Sequence, residues 1–134
     1  MDGFQLVDFM AIGDERGHLV VVEGNRSIPF EVKRVYYIYG TQKGIVRGKH
    51  AHRRLQQMIF CPVGSCDFIL DNGKERKTIR LDSPRQGLYI QSNLWREFTN
   101  FSPDCVVMVM ASEHYDESDY IRDYEAFLKE MNNG

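Results

Sequence analysis

Residues 44–64, GIVRGKHAHRRLQQMIFCPVG, gather most of the side chains in this sequence that could do chemistry. At their centre stand His50 and His52, one residue apart. Residues two apart on a strand point to the same face, so an extended segment would send both imidazoles into one cavity. Two chemistries use such a pair. Imidazole nitrogens ligate transition metals, and His-x-His is then half a site. Imidazoles with an ordinary pKa near 6.5 also move protons at neutral pH. Arginines surround the pair at positions 47, 53 and 54. A guanidinium grips phosphate oxygens with two hydrogen bonds. No Gly-rich phosphate loop occurs in the chain, so a phosphate-bearing ligand would depend on a few such cations. Arg47 beside the histidines is the first candidate and Arg16, in the DERG turn, the second. Lys49, Arg53 and Arg54 are expected to be partly solvated.

Short segments rich in β-branched and aromatic residues must position this stretch. Strands are predicted over residues 18–23, 32–39, 57–61, 66–70, 76–81, 87–90, 96–101 and 105–111. Turn signals separate them at Gly24-Asn25, Gly40, Asp71-Asn72-Gly73 and Ser102-Pro103-Asp104. CDFILDNGKERKTIRL reads as a hairpin around its Asn-Gly turn. The chain end differs. In SDYIRDYEAFLKEM, Tyr120 or Ile121, Tyr124, Phe127 or Leu128, and Met131 recur at helical steps. Ser118 or Asp119 suits the helix cap, Asp123 suits its first turn, and Glu113, Asp116, Glu117 and Asp119 read as solvent-facing. Many short strands and one terminal helix predict an all-β jelly roll, a β-sandwich or barrel with a short C-terminal α-helix. One domain over residues 1–134 is expected.

The histidine stretch resembles the first motif of the cupin superfamily. That motif runs glycine, five residues, H-x-H, three or four residues, glutamate, six residues, glycine. Gly44, His50, His52 and Gly64 fall in register, and Gln57 stands where the superfamily has glutamate. The second motif, P-x-G-x-x-H-x-x-x-N, aligns with IQSNLWREFTN and closes on Asn100. Arg96 then takes the third histidine's position, with Gln91 and Asn93 replacing proline and glycine. A neutral amide and a permanent cation replace two ligands, and a guanidinium has no lone pair to give a metal. The expectation is a cupin pocket without a metal or any other cofactor.

RGKHAHRRLQQ is similar to the R-G-x-H-A-H-x-x-x-x-Q signature of the bacterial sugar 3,4-ketoisomerases, metal-free cupins acting on dTDP-4-keto-6-deoxyglucose. The likeness continues through DERGHLVVVE, FEVKRVYYIYG and the segment from Trp95 to Leu128. The resemblance implies a cupin-type jelly roll, a homodimer and a dTDP-linked 4-keto-6-deoxy sugar as substrate. It implies transfer of the carbonyl from C4 to C3, with the product passed to an aminotransferase toward 3-amino-3,6-dideoxy sugars of surface glycans or antibiotics. His50 is expected to be the main base, with His52 as its partner. Tyr37 stands where the family has an active-site tyrosine that hydrogen-bonds sugar oxygens. Gln57 and Arg96 are expected to face the cavity and contact the sugar, and Trp95, Asn93 and Tyr89 complete the expected substrate contacts. Trp95 and Tyr37 fit a structural core as well. The rival readings are a 3,5-epimerase, whose known members pair a histidine with an aspartate, a metal-dependent cupin oxygenase, and a non-catalytic nucleotide-sugar binding protein.

Bulk properties narrow the classes further. A formal net charge of −2 gives no broad basic surface for nucleic acid. The longest apolar run, residues 106–111, is strand-sized and far short of a membrane span. MDGFQLVDF lacks the basic start and apolar stretch of a signal peptide. Cys61, Cys66 and Cys105 are odd in number and show no CxxC spacing, so buried free thiols in a reducing compartment are expected. That compartment is the cytoplasm.

Overall fold

Apolar residues at every second position build two-faced strands, and in this chain those strands stack into a sandwich. The computed structural model describes residues 1–133. In chain order the strands are β1 (Phe4–Asp8), β2 (Ala11–Asp14), β3 (Gly17–Val20), β4 (Arg34–Tyr39), β5 (Arg47–His52) and β6 (Gln57–Val63). They continue with β7 (Cys66–Asp71), β8 (Arg76–Leu81), β9 (Gln86–Ile90), β10 (Trp95–Thr99), β11 (Val106–Ala111) and β12 (Tyr120–Ile121). A 3₁₀ turn at Glu117–Asp119 precedes β12, and helix α1 (Tyr124–Asn133) follows it.

Two five-stranded antiparallel sheets, β1–β9–β6–β11–β4 and β12–β5–β10–β7–β8, make the jelly roll of a cupin. Their inner faces share one core. Ile59, Leu88, Val107 and Val109 come from the first sheet, and Phe68, Leu70, Leu81 and Phe98 from the second. The three cysteines lie inside that core as free thiols. On the first sheet's outer face, Met58 and Phe60 pack with Phe9, Ile28 and Phe30. Behind the second sheet, Trp95, Ala51 and Ile121 receive Phe127 of α1. The β2–β3 hairpin pairs only with itself.

The predicted strands are present with shifted ends, and β1, β2, β5 and β12 are additional, β5 being the strand that carries His50 and His52. The predicted helix start is corrected. Tyr120 and Ile121 pair with His52 and Ala51 along the edge of β5, so helix cannot begin until Asp123. Asp123 caps α1, with its carboxylate accepting from the Ala126 amide at 3.3 Å and its carbonyl from the Phe127 amide.

One local irregularity aims the site. The pairing of β5 with β10 matches Arg96 to His50 but Phe98 to Arg47, leaving Gly48 as the extra residue of a bulge. Gly48 has φ +67°, and a Cβ there would overlap the Phe98 ring. Phe98 has no room to yield, because it stacks on Phe68 at 4.7 Å. The bulge breaks the alternation of β5, so Arg47 turns to the same cavity as His50. Gly48→Ala combines a left-handed backbone with overpacking. It should destabilise the fold by about 2 to 5 kcal/mol, read as a lower urea midpoint at unchanged m-value.

Candidate active site

A cavity of about 340 Å³ lies between edge strand β4 of one sheet and β5, β10 and β12 of the other. A larger hollow of about 730 Å³ sits at the loops Gly40 to Gly44 and Thr99 to Pro103. Lys43 is the only titratable residue lining it, so acid–base chemistry belongs to the smaller cavity. His50 lines that cavity, and His52, fully buried, meets it edge-to-face with ring centroids 4.7 Å apart. The Tyr120 ring closes the group at 5.1 Å from His50 and 4.4 Å from His52. His52 Nδ1 lies 3.0 Å from the Asp119 carboxylate. The Nε2 atoms of both histidines are buried and have no hydrogen-bond partner among the described residues.

A second group is built around Arg96, which is 1% exposed. Its Nε and Nη2 donate to the Leu94 carbonyl, and its Nη1 donates to Gln57 Oε1 at 2.6 Å. That contact orients the amide, whose Nε2 then donates to Tyr36 Oη at 2.9 Å. Because Tyr36 Oη accepts there, its own proton is left to donate into the cavity. Burial pushes the Tyr36 phenol above its ordinary range, which keeps that proton in place. Burial lowers Arg96 to about 10, still cationic at neutral pH. Burial first, then Arg96 and His52, push His50 down to about 2, so this imidazole is a neutral base awaiting a proton. Negative charge on a bound ligand would act in the opposite direction.

This donor set does not fit the metal that cupins hold. The guanidinium occupies the third-histidine position with no lone pair to offer, and Gln57 Oε1 is taken by it. Among the described residues, the only three His, Cys, Asp or Glu ligand atoms close enough for one ion are the core thiols, outside this cavity.

Cations rim the cavity. Arg122 is tied to Glu117 at 2.6 Å and lies over the Tyr120 ring. Arg34 stacks on Tyr36, while its Nε and Nη2 are buried without a partner. Arg34 and Arg47 therefore present donors to an anion entering the cavity.

A family model described as "FdtA: WxcM-like, C-terminal" matches residues 2–132. The chain belongs to the WxcM-like family. A curated relative from Aneurinibacillus thermoaerophilus, TDP-4-oxo-6-deoxy-alpha-D-glucose-3,4-oxoisomerase, is 50% identical over 93% of this chain and 90% of its own. The 3,4-ketoisomerase QdtA from Thermoanaerobacterium thermosaccharolyticum was solved as a histidine-to-asparagine mutant with TDP-4-keto-6-deoxyglucose. It superposes with TM-score 0.97 at 43% identity, over 99% of this chain and 96% of that one. A 3,4-ketoisomerase from Helicobacter canadensis gives TM-score 0.94 at 44% identity, over 96% and 97% of the two chains.

Within this WxcM-like chain the structure brings together His50, His52, Arg47, Gln57 and Arg96. It places the other predicted residues elsewhere. Tyr37 is corrected to Tyr36: Tyr37 pairs with outward-facing Met108 and is 61% exposed, whereas Tyr36 pairs with inward-facing Val109. Trp95 points away from the cavity into the helix-side core, against Tyr124 and Phe127. Tyr89 lies on the outer face of its sheet, where its hydroxyl donates to Gln56. Asn93 is exposed and serves through its backbone, whose amide donates to the His52 carbonyl. Arg16 lies at the turn of the β2–β3 hairpin, paired with Asp14 and outside the cavity. The solvent-facing reading of Asp119 is also corrected, since it is 2% exposed and holds His52. The sequence reading missed Arg34, Tyr36, Asp119, Tyr120 and Arg122. Strict alternation along RVYYIY groups Arg34 with Tyr36, but β12 is too short to leave a periodic signal.

The neutral state of His50 has a consequence for stability. Folded His50 titrates near 2 and an unfolded histidine near 6.5, so the unfolded chain binds the extra proton throughout that interval. The stability due to neutral His50 is complete above 6.5 and lost as pH falls. Between pH 7 and pH 5 it accounts for about 2 kcal/mol, measurable by urea unfolding; burial pushes His52 down to about 2 as well, so His50→Gln should remove only about half of the observed dependence.

Proposed function

We propose that the chain is a sugar 3,4-ketoisomerase that converts dTDP-4-keto-6-deoxy-D-glucose to the dTDP-3-keto-6-deoxy-hexose. The observation that carries this reading is His50 lining a cavity, its free Nε2 buried beside it, with the buried Arg96 paired to it at the position where the cupin resemblance puts a metal ligand. The relatives at 43 to 50% identity that are named for 3,4-isomerisation support it.

The C4 carbonyl acidifies the C3 proton, and a base of modest strength can remove it once the resulting oxyanion is stabilised. His50 takes that proton, and the electron pair moves through C3–C4 onto the carbonyl oxygen. Tyr36 donates a hydrogen bond to the developing oxyanion, and Arg96 reinforces it through Gln57. His50 then returns a proton to C4, while the C3 hydroxyl proton is transferred to the C4 oxyanion, so that C3 becomes the carbonyl and C4 the alcohol. Arg34 and Arg47 hold the diphosphate. The reaction belongs in the cytoplasm, feeding an aminotransferase in the synthesis of 3-amino-3,6-dideoxy sugars for surface glycans. The site lies within one domain.

A homodimer is part of the proposal. Val35, Tyr37 and Tyr39 form an exposed row on β4, 53 to 72% accessible, beside Met108 and Met110. The β2–β3 hairpin adds Met10, Ile12 and Leu19, each more than half exposed. Exposed apolar side chains grouped in this way suit an interface, and a second copy of the same chain is the proposed occupant. Arg16 lies on that hairpin, so any contact it makes with substrate comes through the dimer. Tyr37→Glu should yield monomers by light scattering, and a dimer of unchanged affinity would place the interface elsewhere.

The His52–Asp119 pair is the feature an epimerase reading would invoke. NMR of dTDP-4-keto-6-deoxyglucose incubated with the protein in heavy water separates the two readings. Isomerisation gives a 3-keto sugar, with deuterium at C4 only to the extent that protonated His50 exchanges with solvent, and epimerisation gives an inverted 4-keto sugar. His50→Asn should keep the fold and nucleotide binding while turnover falls by at least ~100-fold. Full turnover by that variant would remove His50 from the role of base.

A further inference from the structure

Asp119 lies in the 3₁₀ turn before β12, 67 residues beyond His52, and none of the proton-transfer steps above uses it. Its surroundings define what it does. The carboxylate accepts from the Arg54 amide at 2.7 Å, from the Leu55 amide at 3.3 Å and from His52 Nδ1 at 3.0 Å. Two of these partners are backbone N–H groups that can only donate. An ionised carboxylate can only accept, so the nitrogen facing it must carry hydrogen. A neutral imidazole has one N–H, and His52 Nε2 is then a bare lone pair. That atom is buried with no other partner, next to the rings of His50 and Tyr120.

A bare acceptor at this place has a use in the isomerisation. His50 becomes a cation when it takes the C3 proton, although the buried Arg96 guanidinium, on the residue paired with it in the next strand, already opposes positive charge there. A lone pair on the neighbouring ring stabilises that cation, whereas an N–H there would oppose it. We propose that Asp119 is a positioning residue of the isomerase, setting the Nδ1–H tautomer of His52 so that its Nε2 lone pair supports protonated His50. The catalytic part of this assignment rests on the ketoisomerase reading; the tautomer does not.

Asp119→Asn tests the assignment, because an amide can still accept from the Arg54 or Leu55 amide while turning its NH₂ toward His52. His52 would then present a lone pair at Nδ1 and hydrogen at Nε2. Nitrogen-15 NMR of histidine-labelled wild-type protein should show His52 protonated at Nδ1 alone, and the folded variant should show the reverse. kcat should fall by ~100-fold or more, following the wrong-tautomer logic of serine-protease triads, with KM within a few-fold of wild type. In a His52→Gln background, Asp119→Asn should cause no further loss of kcat, since the effect acts through that ring. A wild-type His52 protonated at Nε2, an unchanged kcat in the folded variant, or losses that multiply with His52→Gln would each overturn the proposal. A variant too unstable to assay leaves the wild-type spectrum as the deciding measurement. An inactive wild-type protein with the Nδ1–H tautomer would instead count against the ketoisomerase reading alone.

Discussion

The buried guanidinium of Arg96 is the constraint around which the cavity is organised. Placing a cation where the chain is 1% accessible is unfavourable unless its donors are satisfied. Leu94 O and Gln57 Oε1 take them. This arrangement has three effects. It fills the third-ligand position of a cupin metal site with a group that cannot ligate. It orients the Gln57 amide, and through it leaves the Tyr36 proton free to donate. Its field adds to burial in holding His50 neutral. Together with Gln57 in place of a carboxylate, this arginine leaves two of the four ligand positions of a cupin metal site without a suitable donor.

Backbone geometry on both sides of the cavity supports that arrangement. The Gly48 bulge lets Arg47 and His50 face the same cavity although they are three apart, an odd separation on a regular strand. On the other side, the chain returns from β11 through a 3₁₀ turn and adds two residues to the edge of β5. That short return delivers Asp119, Tyr120 and Arg122 together. Helix α1 secures it by burying Phe127 against Trp95 and Ile121. Trp95 and Arg96 are neighbours in sequence, and strand alternation gives one to the helix and the other to the cavity.

Parts of this were legible beforehand, for identifiable physical reasons. The spacing of His50, His52 and Gln57 survives in the fold because strand period and hairpin length convert it directly into position. Arg96 was reachable through the second motif for the same reason. The tyrosine was misassigned by one residue because VYYIY offers aromatics at both parities. The pairing of Tyr36 with Val109 decides which one faces in, and that pairing is 73 residues distant. Asp119 looked like a helix cap because SDYIRDYEAF carries a helical period from Tyr120 onward. Edge pairing with β5 outweighs that propensity for two residues.

Composition and spacing therefore determined an all-β chain and a pair of imidazoles on one face of a strand, and the resemblance to the cupin motifs implied that Gln57 and Arg96 stand in two metal-ligand positions. These are local properties, set by residue type and by the period-two geometry of a strand. Tertiary structure alone decided which tyrosine faces the cavity, that Asp119 holds His52, that Arg34 brings buried unpartnered donors to the cavity wall, and that Trp95, Tyr89 and Asn93 serve the scaffold. Each of these depends on register between segments far apart in the chain, and a register shift of one residue exchanges the two faces of a strand.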